Sequence, residues 1–182
     1  MVVEKNCTYS KDKLYLIGLM GAGKTTIGRQ LARKLHLEFY DSDREIEART
    51  GVSIPTVFEI EGEDGFRRRE AQVIAELACL PPCVIATGGG VVLRQENRDV
   101  LKASGWVVYL DVPPQILWER TRLDRNRPLL RVDDPLERLR ELYVQRSPLY
   151  RETADIVIDG GRIQAHTIVS VLTKEMGERW KP

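Results

Sequence analysis

The segment Gly18-Leu-Met-Gly21-Ala-Gly23-Lys24-Thr25 has the spacing G-x-x-x-x-G-K-[ST]. Glycines at this spacing let backbone N–H groups turn towards phosphate oxygens, and the start of a helix adds positive potential. The lysine can reach the β- and γ-phosphates, and the threonine hydroxyl can bind Mg²⁺. The alternative is a glycine-rich turn with an exposed lysine, but four fixed positions occur by chance in only about one chain of this length in a hundred. The predicted nucleotide-binding residues here are Gly21, Ala22, Gly23, Lys24, Thr25 and Thr26.

Two carboxylates, Asp41 and Asp43, follow a short apolar segment at residues 37–40. Ligands of open α/β sheets bind outside the carboxyl ends of the strands, so both side chains are candidates for a site. One carboxylate can orient metal-bound water, and the other can accept a proton from an attacking hydroxyl. The alternative is that they cap the helix predicted at residues 44–49, and the pattern alone leaves both interpretations open.

Two further segments carry candidate ligand contacts. In Phe66-Arg67-Arg68-Arg69-Glu70, the glutamate lies at i+3 from Arg67 and can hold its guanidinium for bidentate binding of a carboxylate. Most such charged runs are simply solvated helix faces. The second segment, Gly88-Gly89-Gly90, follows a predicted strand. Its glycines either end the strand for conformational reasons or let backbone amides approach a ligand closely.

Residues 120–131 contain five arginines and one aspartate, with poor periodicity and a proline. The segment is either a solvated surface turn or a mobile lid, since phosphoryl transfer needs positive charge at the phosphates and exclusion of water. We predict a lid over about residues 120–134. In it, Arg127 is the candidate phosphate contact, and Arg120, at a helix end, is placed to stack on an adenine.

These candidates lie between elements that alternate along the chain. Strands are predicted at residues 14–17, 37–40, 84–86, 106–110 and 156–158. Helices are predicted at residues 26–35, 44–49, 53–80 with a break at Gly62 and Gly65, 95–103, from Pro113, from Asp134 towards Arg146, and near the C-terminus. This alternation predicts a five-stranded parallel sheet between two layers of helices, in a single α/β domain spanning residues 1–182.

The composition excludes several classes of protein. Of 182 residues, 42% are hydrophobic and 30% are charged, which is typical of a globular chain. The formal net charge of +1 gives no reason to expect a nucleic-acid partner or an anionic membrane surface. No apolar run approaches the ~20 residues that span a bilayer, and the polar start of the chain does not resemble a secretory signal. We therefore expect a cytoplasmic protein, and a monomer.

Taken in order, the motifs resemble those of the shikimate kinases, in the nucleoside-monophosphate-kinase branch of P-loop proteins. The resemblance runs from about residue 13 to the last predicted helix, and residues 1–13 extend beyond the usual family start. The motifs that carry it are the P-loop, Asp41-x-Asp43, Gly62-Glu-x-x-Phe66-Arg67-x-x-Glu70, Gly88-Gly-Gly90, Arg127-Pro-Leu-Leu130 and Arg146-Ser-Pro-Leu-Tyr150.

The resemblance implies transfer of the γ-phosphoryl group of ATP to the 3-hydroxyl of shikimate, with Mg²⁺, in the pathway to chorismate and aromatic amino acids. It implies that Asp43 binds the substrate hydroxyls and acts as the base, and that Asp41 holds Mg²⁺ through water. It also implies that Arg127 contacts the phosphates and that Arg162 lies near the adenine. The substrate-binding residues that it implies are Asp43, Arg67, Gly88, Gly89, Gly90 and Arg146.

Three other functions compete with this one. A gluconate kinase on the same scaffold would share the P-loop and the lid but would have no use for two arginines directed at a ring carboxylate. A binding protein without catalysis would be favoured by loss of Lys24, Asp43 or Arg127, and all three are present. A nucleic-acid-dependent P-loop ATPase is disfavoured by the net charge of +1 and by the absence of an appended domain.

Overall fold

A computed structural model describes residues 9–123, 128–161 and 163–179. Within these residues it contains a five-stranded sheet, in the order β2-β3-β1-β4-β5, with every neighbouring pair parallel. The strands are β1 (Lys13–Ile17), β2 (Glu38–Asp41), β3 (Cys83–Ala86), β4 (Gly105–Asp111) and β5 (Ile156–Asp159).

Helices connect the strands and lie on both faces of the sheet. They are α1 (Lys24–Leu35), α2 (Ser42–Thr50), α3 (Ile54–Leu77), α4 (Gln95–Ser104), α5 (Pro114–Thr121), α6 (Pro135–Thr153) and α7 (Ala165–Arg179). Short 3₁₀ turns occupy Val91–Leu93 and Pro128–Leu130. The predicted fold class, a parallel sheet between helical layers, is confirmed.

The centre of the sheet is its most apolar part because helices cover both of its faces. All five residues of β1 are buried, and β3 is buried throughout. A parallel strand covered on both sides reads as a continuous hydrophobic run rather than as an alternating one. Helix α1 packs its buried Ile27 and Leu31 towards this core and ends at His36, which adopts the left-handed conformation.

Two helices differ from the sequence prediction. The predicted break in α3 occurs at Gly62, whose φ of 68° and ψ of −177° are not helical, whereas Gly65 is helical and its predicted break is wrong. Helix α6 does not end near Arg146 but continues through Pro148 to Thr153. A proline inside a helix removes one backbone hydrogen bond, so tertiary contacts must stabilise this continuation.

The order of the strands brings the candidate motifs together. The P-loop follows β1, Asp41 ends β2, and the three glycines follow β3, so all three motifs lie at the carboxyl edge of adjacent strands. This is the edge at which ligands bind in open α/β sheets. Among the described residues, no helix is long and apolar enough to cross a membrane.

Candidate active site

A cavity of about 650 Å³ opens at this edge of the sheet. It joins the P-loop to the first turns of α2 and α3 and to the glycines after β3. Its lining comprises Met20, Gly21, Gly23, Lys24, Thr25, Thr26, Asp41, Asp43, Arg44, Glu47, Ser53, Ile54, Pro55, Phe58, Phe66, Arg67, Glu70, Thr87, Gly88, Gly89, Gly90, Leu129 and Arg146. The cavity therefore joins most of the predicted P-loop residues to all of the predicted acceptor residues, as a direct transfer between two bound substrates requires. Ala22 and Arg120 are not part of its lining.

The P-loop has the backbone that phosphate binding needs. Gly21 and Gly23 have φ values of 80° and 93°, a conformation that residues with a side chain rarely adopt. Lys24 is buried, and its Nζ donates hydrogen bonds of 2.8 Å to the carbonyl oxygens of Gly18 and Leu19. The loop thus holds the ammonium over its own backbone. Ala22 is predicted as a nucleotide contact, but its side chain packs in the core, so only its backbone is available.

Thr25 and Asp41 form a contact between the P-loop helix and the second strand. Thr25 Oγ1 donates a hydrogen bond of 2.7 Å to Asp41 Oδ2. The other carboxylate oxygen, Oδ1, accepts hydrogen bonds from the backbone N–H groups of Asp43 and Arg44 at 3.2 and 3.5 Å. Asp41 therefore caps α2 through Oδ1 and faces Thr25 through Oδ2. The capping interpretation is confirmed, and the metal role of Asp41 stays a prediction.

Asp43 differs from Asp41 in the surroundings of its carboxylate. Its Oδ1 is buried and has no hydrogen-bond partner among the described residues. A Cβ built on Gly88 would lie 2.7 Å from that atom and 2.6 Å from Glu70 Oε1, so both carboxylates approach the same glycine. Burial, followed by the negative charges of Glu70 and Asp41, raises the pKa of Asp43 to about 7, against the opposing effect of Lys24 and Arg67. A carboxyl group with such a pKa is suited to proton transfer near neutral pH.

Glu70 holds the guanidinium of Arg67, as the i+3 spacing predicts. Arg67 Nη1 donates to Glu70 Oε2 at 2.9 Å and Nη2 donates to Glu63 Oε1 at 3.0 Å, while the arginine side chain is almost fully buried. Although burial opposes it, these two carboxylates raise the pKa of Arg67. A side chain at Gly90 would collide with the guanidinium, so this glycine leaves the space that Arg67 fills.

Arg146 approaches the same cavity from α6. Its Nη1 donates to the carbonyl oxygen of Gly89 at 3.1 Å, and the Tyr150 hydroxyl donates to that same oxygen. Burial lowers the pKa of Arg146, and the positive charge of Arg67 lowers it further. Both guanidinium groups line the same cavity and are therefore candidates for binding an anion there. The Nε atoms of both arginines are buried without a partner among the described residues.

Of the three arginines predicted to contact the nucleotide from outside the P-loop, the structure describes Arg120. Arg120 lies in the last turn of α5, where its Nη2 donates to the carbonyl oxygens of Gly160 and Gly161 at 3.2 and 3.0 Å. This contact ties the end of α5 to the turn after β5, and stacking of Arg120 on an adenine stays a prediction. Arg127 and Arg162 lie outside the described residues, so their predicted roles also stay predictions.

Sequence reasoning missed part of the cavity wall. Ile54, Pro55 and Phe58, from the first turns of α3, give the acceptor side an apolar surface, and the Phe58 and Phe66 rings lie 4.7 Å apart. Ser42 is fully buried and accepts a hydrogen bond of 2.9 Å from the Gly88 N–H. The helical spacing of the α3 residues was a usable signal for the apolar surface, whereas nothing in the sequence pairs Ser42 with Gly88.

Comparison with known proteins agrees with this geometry. The family model described as shikimate kinase matches residues 20–177. The chain belongs to the shikimate kinase family. A shikimate kinase of Dechloromonas aromatica (strain RCB) is 63% identical over 165 residues, which cover 91% of this chain and 90% of the relative. The predicted family and the predicted enzyme class, a shikimate kinase, are therefore confirmed.

Solved shikimate kinases have the same fold. The shikimate kinase from Acinetobacter baumannii in complex with shikimate superposes with a TM-score of 0.89 at 46% identity, covering 94% of this chain and 97% of that one. The shikimate kinase from Aquifex aeolicus superposes with a TM-score of 0.79 at 35% identity, covering 93% and 99%. This shikimate kinase family member thus has the fold of the solved shikimate kinases.

Proposed function

We propose that this chain transfers the γ-phosphoryl group of ATP to the 3-hydroxyl of shikimate, giving shikimate 3-phosphate and ADP for chorismate and aromatic amino acid biosynthesis. The observation that carries the proposal is the joint placement, in one cavity, of a P-loop lysine, a buried carboxylate and two buried arginines. A gluconate kinase would not need two buried guanidinium groups on the acceptor side. The Acinetobacter baumannii relative was solved in complex with shikimate, which supports the same acceptor here.

The nucleotide side of the cavity has the donors that ATP requires. The backbone N–H groups of Gly21, Gly23 and the start of α1 surround the β- and γ-phosphates, and Lys24 exchanges its carbonyl partners for phosphate oxygens when ATP binds. This exchange keeps the ammonium hydrogen-bonded in both states. The charge of Lys24 then acts where negative charge redistributes during the transfer.

Thr25 and Asp41 fit a magnesium ion. Both present oxygen atoms, which Mg²⁺ prefers, and Mg²⁺ commonly keeps several waters while using one or two carboxylates together with substrate phosphates. In keeping with this sparse coordination, the described ranges contain no group of three or more His, Cys, Asp and Glu side chains that could hold a metal. When bound, the ion neutralises charge on the phosphates. The Thr25 hydroxyl would bind it directly, and Asp41 would orient its water.

The acceptor side fixes a ring carboxylate at one end and a hydroxyl at the other. Arg67, held by Glu63 and Glu70, and Arg146, held by Gly89, would bind the carboxylate, and the backbone of Gly88, Gly89 and Gly90 would close the site around the ring. Because both guanidinium groups are fixed before the substrate arrives, little side-chain entropy is lost on binding. Apolar side chains of α3 would cover one face of the ring.

Asp43 lines the cavity, where its carboxylate would hydrogen-bond the attacking hydroxyl and accept its proton. The loss of that proton occurs late in a largely dissociative transfer, so Asp43 would position the hydroxyl as well as act as its base. The raised pKa of this carboxyl makes it a better proton acceptor than an exposed aspartate.

The proposed lid spans residues 120–134. Its flanks are Arg120 at the end of α5 and Leu129 in the cavity wall, while the predicted phosphate contact Arg127 lies outside the described residues. We expect residues 120–134 to close over both substrates, with Arg127 at the phosphates and Arg162 near the adenine. Hydrogen exchange in the free enzyme and with an ATP analogue plus shikimate tests this, since equal exchange in both states contradicts a lid.

The remaining proposals concern the surroundings of the enzyme. A net charge of +1 supports an enzyme that acts on small molecules rather than on nucleic acid or a membrane surface. We propose a single-domain monomer of the cytoplasm. Size-exclusion chromatography with light scattering tests the oligomeric state.

A coupled ADP-release assay tests the function. Shikimate, gluconate and nucleoside monophosphates are compared side by side at equal concentration, each with and without Mg²⁺. Turnover with shikimate but not with gluconate or nucleoside monophosphates, and only when Mg²⁺ is present, supports the proposal. Comparable turnover with gluconate contradicts the assignment of the acceptor.

A further inference from the structure

Asp111, the last residue of β4, binds three side chains outside the cavity. Its Oδ1 accepts hydrogen bonds from the hydroxyls of Tyr109 and Tyr143, at 3.0 and 2.8 Å, and its Oδ2 accepts one from Arg151 Nη2. Only 14% of the Asp111 side chain is exposed. The proposed function gives this cluster no role.

Two of these three partners lie on α6, on opposite sides of Pro148. Tyr143 precedes the proline and Arg151 follows it. Because proline has no N–H, the carbonyl of Val144 lacks its usual helical donor, and the proline ring crowds that carbonyl. One carboxylate on the sheet therefore binds a side chain from the helix segment before Pro148 and a side chain from the segment after it.

The same stretch of helix carries the acceptor contacts. Arg146 and Tyr150 both donate to the carbonyl oxygen of Gly89. The Tyr150 ring stacks on the Tyr109 ring, with centroids 4.9 Å apart and planes 25° from parallel. A continuous set of contacts thus runs from Asp111 through Tyr109 and Tyr150 to the residues that face the substrate carboxylate.

The contacts of Asp111 are better suited to positioning α6 than to stabilising the fold. Arg151 is half-exposed, and an ion pair at such a site contributes little to stability. The two phenol bonds are charge-assisted and more directional. Burial raises the pKa of both Tyr109 and Tyr143, so each stays a protonated donor across the working pH range.

We propose that Asp111 is a positioning residue for acceptor binding: by holding α6 on both sides of Pro148, it sets the guanidinium of Arg146 against the substrate carboxylate. The inference rests on the proposed role of Arg146. The nucleotide side is held differently, because the turn after β5 is bound by the backbone carbonyl of Asp111, which accepts from the Gly160 N–H. Substitution of the Asp111 side chain leaves that bond in place.

The test compares six variants by KM for shikimate, KM for ATP, kcat and Tm. Asp111→Asn removes the charge but keeps one acceptor, Asp111→Ala removes every contact, and Tyr143→Phe removes one phenol bond. The matched control is Arg138→Gln, which breaks an exposed ion pair with Glu141 on the same helix. We expect KM for shikimate to rise about 5-fold in Tyr143→Phe and in Asp111→Asn, and about 20-fold or more in Asp111→Ala, the range for one or two lost hydrogen bonds. KM for ATP and kcat of the Asp111 and Tyr143 variants should stay within about twofold of the wild-type values, and the Arg138→Gln enzyme should match wild type. If Asp111 acts through Arg146, the double variant Asp111→Ala, Arg146→Ala should bind shikimate no more weakly than Arg146→Ala alone.

A structural role alone would lower Tm without a selective change in KM for shikimate, and that result would overturn the inference. So would equal increases of KM for both substrates. If Asp111→Ala does not fold, Asp111→Asn and Tyr143→Phe decide the question. The single variant Arg146→Ala distinguishes a failure of the carboxylate assignment from a failure of the inference about Asp111. If it leaves KM for shikimate unchanged, the carboxylate assignment fails and the Asp111 inference fails with it. If it raises KM while the Asp111 variants do not, only the inference about Asp111 fails.

Discussion

Thr25 Oγ1 donates a hydrogen bond of 2.7 Å to Asp41 Oδ2, so the first turn of α1 and the end of β2 meet at one carboxylate. The other oxygen of that carboxylate caps α2. Asp43, two residues later, has a buried oxygen that faces Glu70 and Gly88 instead. The two aspartates of the Asp-x-Asp motif therefore differ in their partners, and this difference predicts that they differ in function.

Substitution of the first aspartate should affect the metal. In Asp41→Asn the amide oxygen can still cap α2, but the negative charge facing Thr25 is lost. We expect the Mg²⁺ concentration for half-maximal rate to rise about 10-fold or more, the usual effect of losing an outer-sphere metal contact, while kcat at saturating Mg²⁺ stays near that of wild type. A titration of the rate with Mg²⁺ measures this. A variant with wild-type metal dependence would remove Asp41 from the metal site.

Lys24 should be needed for the chemical step rather than for the fold. Its ammonium is held by two backbone carbonyls, and in the complex the same donors would bind phosphate oxygens. We expect Lys24→Ala to lower kcat by about 10²–10³-fold, as for the loss of one donor that stabilises transition-state charge. Far-UV circular dichroism checks the fold, and Lys34→Ala, an exposed residue of the same helix, is the control. A folded Lys24→Ala enzyme within threefold of wild-type kcat would contradict this role.

The features that could be predicted from the sequence depend on short-range geometry. The P-loop follows a strand and opens a helix, and the Arg67–Glu70 pair follows from i+3 spacing on one helix. The contacts that could not be predicted join residues distant in the chain. Asp111 and Tyr143 are 32 positions apart, and Tyr150 and Gly89 are 61 apart, so no local pattern pairs them.

The end of α6 could not be predicted from the sequence. A proline inside a helical pattern normally predicts an end or a kink, but here the helix continues through Pro148, and Asp111 binds one side chain on each side of it. For Asp41, the sequence pattern did not decide between two interpretations. The sequence left capping and metal binding open as alternatives. The structure shows that Oδ1 caps α2 while Oδ2 accepts from Thr25, and metal binding stays a prediction.

Removal of Arg67 should weaken binding of the acceptor far more than binding of ATP. Its loss would leave a substrate carboxylate oxygen without a charged donor, which costs about 1.5–3 kcal/mol, or roughly 10- to 150-fold in affinity. We expect Arg67→Ala to show this loss for shikimate in titration calorimetry, with ATP affinity little changed. The control is Arg69→Ala, two residues away, whose half-exposed guanidinium binds Glu61 outside the cavity. Equal losses for shikimate and ATP would contradict the assignment.

Asp43→Asn should slow the transfer itself. The amide keeps the shape of the side chain and one acceptor but cannot take up the proton of the attacking hydroxyl. We expect kcat to fall by about 10²-fold or more, the scale of general base catalysis, with the affinity for MgATP little changed. Asp41→Asn is the matched comparison. If both variants lose Mg²⁺ affinity and neither loses kcat at saturating metal, Asp43 belongs to the metal site instead.

The same substitution should stabilise the free enzyme at high pH. The pKa of the Asp43 carboxyl is raised from 3.8 to about 7 in the folded protein, first by burial and then by Glu70. Between those two pH values the folded state binds more protons than the unfolded state, so the free energy of unfolding falls as pH rises through this window and stays lowered above it. The neutral amide of the Asp43→Asn variant would carry no such penalty. We therefore expect Tm of Asp43→Asn to exceed that of wild type by an amount that grows between pH 5 and pH 8, by about 2–4 °C if only ~1 kcal/mol of the effect survives relaxation of the site.

Thermal melts at several pH values, without nucleotide and without Mg²⁺, measure this difference. Asp99→Asn, which changes an exposed carboxylate on α4, is the control and should give a difference that does not vary with pH. A Tm difference for Asp43→Asn that stays constant from pH 5 to pH 8 would mean that Asp43 is ionised without cost in the folded enzyme. In that case the base would be an ordinary carboxylate, and the contact with Glu70 across Gly88 would not contribute to its proton affinity. A difference that widens with pH instead shows that ionisation of Asp43, buried near Glu70, lowers the stability of the folded enzyme.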